Sequence, residues 1–127
     1  MDKLSSEIER LTNGTQETTR VILSHLALMK LEQGDFLLKQ GQYCNQYFFV
    51  RQGTVRLYYE KNEKDYTVWM GTEGQIFTEL DSYLFGKPSL VSIEAVEDSL
   101  VYRISKDKSD ALALELPEYN TLLRRTV

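Results

Sequence analysis

The chain has 127 residues, 42% of them hydrophobic and 27% charged, with a formal net charge of −4. That composition fits one globular domain, spanning 1–127, with enough apolar residues to bury a core; it excludes a fibrous or disordered chain. Fifteen basic residues face 19 acidic ones, and no dense basic run appears, so the chain by itself is a poor candidate for gripping DNA.

The single cysteine, Cys44, excludes an intrachain disulfide. The first residues are charged and lack the apolar stretch of a signal peptide, and no apolar run approaches the roughly 20 residues of a membrane helix. A cytoplasmic location is therefore expected, with no membrane partner. Asn13-Gly14-Thr15 matches a glycosylation triplet, but inside a cell it reads as a helix stop followed by an N-cap.

Taken in order, residues 1–26 read as two helices. Leu4, Ile8 and Leu11 recur at helical spacing and stop at Asn13-Gly14, and Thr15 caps a second helix running to about His25. From 27 to 104 the pattern changes to short aromatic and β-branched runs separated by turn signals, the mark of a sandwich or small barrel. The expected strands are 27–31, 35–39, 47–51, 54–60, 66–70, 90–96 and 100–104, punctuated by Gly34, Gly41, Gly53, Asn62, Gly71 and Gly74. In the fourth, Val55, Leu57 and Tyr59 share one face while Arg56 and Tyr58 share the other. Residues 77–85 break the β pattern and read as one or two helical turns ended by Gly86-Lys87-Pro88. Residues 105–127 return to helix: Ser105 caps one running through Leu114, and Pro117 opens another with Tyr119, Leu122 and Leu123 on its apolar stripe.

Four segments share an order and spacing with a known family: Leu31 to Leu38 followed by Gly41; Tyr47 to Leu57; Gly74 to Leu80; and Ala95 to Ser99. In that order the chain resembles the effector-sensing, cyclic-nucleotide-binding domain of Crp–Fnr transcription regulators, over residues 26–119. The resemblance implies a mainly β fold with flanking helices, a double-stranded β-helix or jelly-roll β-barrel. It also implies that 77–90 form a phosphate-binding cassette, with Phe77, Thr78, Glu79, Leu80, Ser89 and Leu90 as the ligand-binding residues. In the family a short helix aims its N–H groups at a phosphate, an acid at the Glu79 position accepts from a ribose hydroxyl, and an arginine at the Ser89 position pairs with the phosphate.

Here Glu79 is kept, while Thr78 stands in place of Gly, Ser89 in place of the arginine, and Leu90 in place of a small polar residue. One lost charged hydrogen bond, about 1.5–3 kcal/mol, weakens phosphate binding by one to two orders of magnitude. The ligand expected is thus a small effector, a cyclic nucleotide or another molecule, with cyclic AMP disfavoured by Ser89. Occupancy would be relayed through the C-terminal helix, where a homodimer is also expected to form. DNA would be reached only through a domain absent from these residues.

The remaining chemistry-bearing residues carry plainer readings. Glu79 is equally a first-turn acid favoured by the helix dipole, and Ser89 a strand-start serine. Tyr58 and Trp69 read as packing aromatics, His25 as a helix-end residue, and Cys44 as a plain thiol in a polar turn. With one histidine and one cysteine, neither a cupin-type metal enzyme nor an iron–sulfur sensor can be assembled, so no catalytic residue, metal or certain cofactor is expected. The competing function is a degenerate roll that binds no ligand and serves protein–protein contact.

Overall fold

The computed structural model describes residues 2–126. Two helices open the chain. Helix α1, Lys3–Thr12, is capped by Asp2, whose carboxylate accepts from the Ser5 amide at 2.7 Å, and it ends on Asn13 in the left-handed region. Helix α2, Gln16–Ser24, is capped by Thr15 and closes on His25, whose Nδ1 lies 2.8 Å from the Val21 carbonyl. A carbonyl only accepts, so Nδ1 carries the proton.

Eight strands follow: β1 Ala27–Leu31, β2 Phe36–Leu38, β3 Gln46–Gln52, β4 Thr54–Lys61, β5 Lys64–Thr72, β6 Ile76–Phe77, β7 Ser92–Ala95 and β8 Ser99–Ser105, with helix α3 (Leu80–Phe85) between β6 and β7. They form two antiparallel four-stranded sheets, ordered β1-β8-β3-β6 and β2-β7-β4-β5. The sheets face each other as the expected jelly roll, without being joined into a closed barrel. Helices α4 (Lys106–Glu115, capped by Ser105) and α5 (Pro117–Arg125, with proline in its first turn) end the chain. Among the described residues, no helix is long and apolar enough to cross a membrane.

Strand β3 explains how the layers hold together. Its run Tyr47-Phe48-Phe49-Val50 is buried on both faces. Phe48 and Val50 point between the sheets, into a core with Leu38, Val55, Leu57, Ile93 and Val101. Tyr47 and Phe49 point the other way, into a second core with Leu4, Ile8, Leu112, Tyr119 and Leu122 from the helices. Each such side chain contributes about 1.5–3 kcal/mol by leaving water.

Most strand ends differ from the sequence expectation by a residue or two, and three differences matter more. Phe77 is strand rather than helix, because β6 pairs Phe77 with Phe48 and Ile76 with Phe49; helix begins only at Leu80. Leu90 precedes its strand, since Ser89 closes a turn on Val91 and β7 starts at Ser92. Strand β5 is longer than expected and bulges at Val68, where the register shifts between Leu57 and Tyr58. The faces of β4 are as read: Val55 and Leu57 point inward, while Tyr58 is buried on the outer face, with the Arg56 guanidinium 3.8 Å from its ring.

The helical core holds three phenols where α3, α4 and α5 meet β3. Tyr47 packs edge-on against Tyr83 of α3, ring centroids 5.2 Å apart, and its hydroxyl bonds Thr126 at 3.1 Å. Tyr119, fully buried, shares a 2.8 Å hydrogen bond with Ser109. Burial pushes all three phenols above the usual range, Tyr119 furthest, with Ser109 and Thr126 partly offsetting it.

Two predictions follow from this packing. Unfolded phenols ionise near about pH 10, whereas Tyr47, Tyr83 and Tyr119 ionise higher in the fold. Their contribution to stability is therefore complete below that pH and declines as pH rises through the folded values. Unfolding midpoints measured from pH 8 to 11 are expected to hold and then drop, and the drop is shallower in Tyr119→Phe. Gly53 tests backbone geometry. It sits at φ +96° between β3 and β4, and a Cβ there would lie 2.2 Å from Ser99 Oγ. Gly34, at φ +92°, faces open space. Gly53→Ala is expected to cost about 2–5 kcal/mol in denaturant unfolding, and Gly34→Ala only about 1–2.

Candidate functional site

The segment from β6 to β7 forms an arch over one end of the roll. At its near foot, Phe77 is buried between the sheets, its ring 5.7 Å from Phe48 and 5.1 Å from Trp69. Thr78 Oγ1 donates to the Gln46 carbonyl at 2.6 Å and lies 3.4 Å from Cys44 Sγ. Glu79 caps α3: its Oε1 accepts from the Asp81 amide at 3.1 Å. Its other oxygen, Oε2, is buried and has no hydrogen-bond partner among the described residues.

Leu80 opens α3, which is held from below by Ser82, whose Oγ accepts from the Cys44 amide at 2.7 Å. Gly86 ends it at φ 65°, its amide bonding Ser82 O. At the far foot Ser89 is buried. Its backbone exchanges hydrogen bonds with Gly41 (2.8 Å) and Gln42 (2.7 Å), and its Oγ is spent on both backbone groups of Val91. Leu84, Phe85 and Leu90 lie on the outside, 50%, 68% and 65% exposed.

The six expected ligand residues are therefore brought onto one arch but face differently. Phe77 belongs to the core, the Ser89 hydroxyl proton is already donated to the Val91 carbonyl, and Leu90 faces solvent. Glu79 alone presents a buried, unused polar atom. The cations weighed as substitutes for the missing arginine are elsewhere: Arg56 is on the outer face of β4, 3.3 Å from both Asp65 and Glu94, and Arg51 and Lys87 are exposed. Lys106 reaches the arch from the helical side, donating to the Tyr83 carbonyl at 2.9 Å.

Two groups of residues escaped the sequence reading. Residues 42–46, taken for a polar turn, grip the arch at Thr78, Ser82 and Ser89, Gly41 adds a second hold on Ser89, and the Asn45 carbonyl also accepts from the Lys106 amide at the start of α4. Their thiol, Cys44, is buried rather than exposed. The second group is Tyr83 and Ser109: Tyr83 enters the helical core and is tied to α4 by Lys106, and Ser109 ties α4 to Tyr119 of α5. Only the Gly41 turn signal and the helical stripe at Tyr119 hinted at either.

A cavity of about 350 Å³ opens against this loop, with Leu37, Leu38 and Phe48 as its floor and Gln42, Asn45 and Gln46 on its polar side. A larger concavity, about 410 Å³, lies on another face between α1, the β5–β6 turn and the end of α5. Its arginines are committed, Arg10 to Glu7 and Arg125 to the Leu11 carbonyl. Among the described residues, no group of three His, Cys, Asp or Glu could hold a metal.

Among solved structures the chain is similar to a cyclic nucleotide-binding domain from Methylobacillus flagellatus, with 22% identity and a TM-score of 0.80 over 98% of this chain and 74% of that one. It is similar to the catabolite activator protein of Thermus thermophilus, with 23% identity and a TM-score of 0.81 over 94% of this chain; it spans 55% of that protein. The N-terminal domain of a transcriptional regulator from Streptomyces coelicolor gives 18% identity and a TM-score of 0.79, covering 98% of this chain and 89% of that one. No curated protein matches the sequence significantly. These likenesses establish the fold. The sequence itself matches the cyclic nucleotide-binding domain over residues 28–115, and the chain therefore belongs to that family of regulatory ligand-binding domains.

Proposed function

We propose that residues 1–127 act as one effector-sensing module of the Crp–Fnr type. A small molecule is taken at the arch carrying Phe77, Thr78, Glu79, Leu80, Ser89 and Leu90, and its presence is passed to α5. One observation carries this reading: the buried link from α3 to α5. Tyr83 packs on Tyr47 and its carbonyl accepts from the Lys106 ammonium of α4 at 2.9 Å, in the same buried cluster as Tyr119, whose hydroxyl shares a bond with Ser109. A shift of α3 is thereby felt at α5 through this shared packing, and a ligand that prefers one position of α3 biases α5 by its differential affinity.

The cassette is degenerate with respect to phosphate. Ser89 supplies no cation and no free hydroxyl proton, and Glu79 turns its own carboxylate onto the first turn of α3. An anion there meets a like charge without compensation. Cyclic AMP is thus a poor ligand. The module works in the cytoplasm, as a homodimer through α5, and reaches DNA only through a further domain. A second reading, a roll kept for protein contact, draws support from the exposed Leu84, Phe85 and Leu90 on the arch.

Calorimetric titration tests the cassette. Ser89→Arg restores the missing cation and is expected to tighten cyclic AMP binding by about tenfold to a hundredfold over the parent chain. A folded Ser89→Arg protein with unchanged affinity refutes the phosphate-site alignment. The relay is tested by Ser109→Ala, which leaves the Tyr119 hydroxyl buried without a partner. It is expected to cost about 1–3 kcal/mol and to raise amide hydrogen exchange in α5 above that in β3. Equal exchange in both elements counts against the link.

A further inference from the structure

The cavity behind residues 42–46 has a chemistry unlike that of a phosphate site. No acid, lysine, arginine or histidine lines it among the described residues. Its floor is aliphatic and aromatic; its polar side is made of carboxamides. Burying an anion against such a wall strips its hydration and returns no cation, whereas an uncharged polar group exchanges water for amide hydrogen bonds. Its volume, about 350 Å³, falls within the ordinary range of small-ligand pockets, about 300–1,000 Å³.

The wall is also the most connected loop in the sensing half of the molecule. Gly41 and Gln42 hold Ser89 by its backbone, at 2.8 and 2.7 Å. The Cys44 amide holds Ser82 of α3 at 2.7 Å. The Gln46 carbonyl holds Thr78 at 2.6 Å. The Asn45 carbonyl holds the Lys106 amide, at the first residue of α4, at 2.8 Å. One short loop therefore contacts both feet of the arch, its helix, and the beginning of the exit helices. A molecule seated against this loop moves all of them together.

We infer that the effector of this chain is an uncharged small molecule with a flat or aliphatic body and a carboxamide- or hydroxyl-like group. It binds in the cavity walled by residues 42–46, and that loop transmits its presence to α3 and α4. The inference rests on the sensor reading, gives it a ligand class, and moves the ligand's seat from the arch to the loop that holds the arch. The arch is then the moving part rather than the principal contact surface. Glu79 holds α3 in place by its cap, and Ser89 fastens the arch to the loop.

Benzamide and benzoate test it, since they share shape and differ in charge. In amide NMR spectra of the full chain, benzamide at millimolar concentration is expected to shift residues 42–46 and, with them, Ser82, Lys106 and α5. Benzoate is expected to bind roughly tenfold more weakly or worse, because its carboxylate loses hydration without a partner. Leu37 is half-buried at the cavity floor, so Leu37→Trp fills the space and abolishes the benzamide shifts. Leu37→Phe, a milder filling, weakens them if the tryptophan variant fails to fold. Equal binding of benzoate, or silence from both probes, overturns the inference. So does a response to cyclic AMP centred on residues 77–90 with none to benzamide, an outcome that leaves the sensor reading intact. Benzamide shifts confined to the cavity, with α5 unmoved, uphold the seat and refute the sensor reading.

Discussion

The structure depends on one strand being buried from both sides. Strand β3 has no solvent face along Tyr47-Phe48-Phe49-Val50: alternate side chains serve the core between the sheets and the core beneath the helices. The two halves of the molecule therefore share a backbone rather than merely touching. Anything that displaces β3 disturbs both cores, whose close packing leaves few low-energy alternatives. This is why the elements that move in the proposed sensor are peripheral to β3: the arch beyond Phe77, the loop 41–45 and the last two helices, which lean on it outside its ladder.

Charge decides what the arch can hold. In the expected arrangement, a short helix and an arginine together neutralise a phosphate. Here the first turn of α3 is occupied by the carboxylate of Glu79, and the arginine position is a serine whose hydroxyl is satisfied within two residues. The positive end of the helix dipole is already answered from within the chain. The fold of the family is present, while under the proposed reading the electrostatics of the arch differ from those of a phosphate site. A family's fold and its ligand are separable properties.

Much of this was legible in the sequence. The caps at Thr15 and Ser105, the proline opening α5, and most strands announced themselves through local chemistry that tertiary structure did not override. The two-residue strand β6 did not, because it exists only through pairing with Phe48 and Phe49. The loop 41–46 looked like a solvated turn because its partners are remote: Cys44 meets Ser82 across 38 residues, and Gln46 meets Thr78 across 32. The order of site residues along the arch was readable from the resemblance, but their orientation was not. That Phe77 faces the core follows from the pairing of β6 with β3, and that Leu90 faces solvent from a turn closed by Ser89; no periodicity encodes either.

Strand β5 lies at the margin of its sheet with one ladder unpaired along nine residues. Tyr66, Val68 and Met70 stand exposed upon it, a combination that invites a foreign strand to dock. The kink at Val68 spoils the straight template such docking requires, and the charged Lys64 and Asp65 guard its outer end. The bulge and the charges thus offset, within the strand itself, the docking template that its exposed apolar residues would otherwise offer.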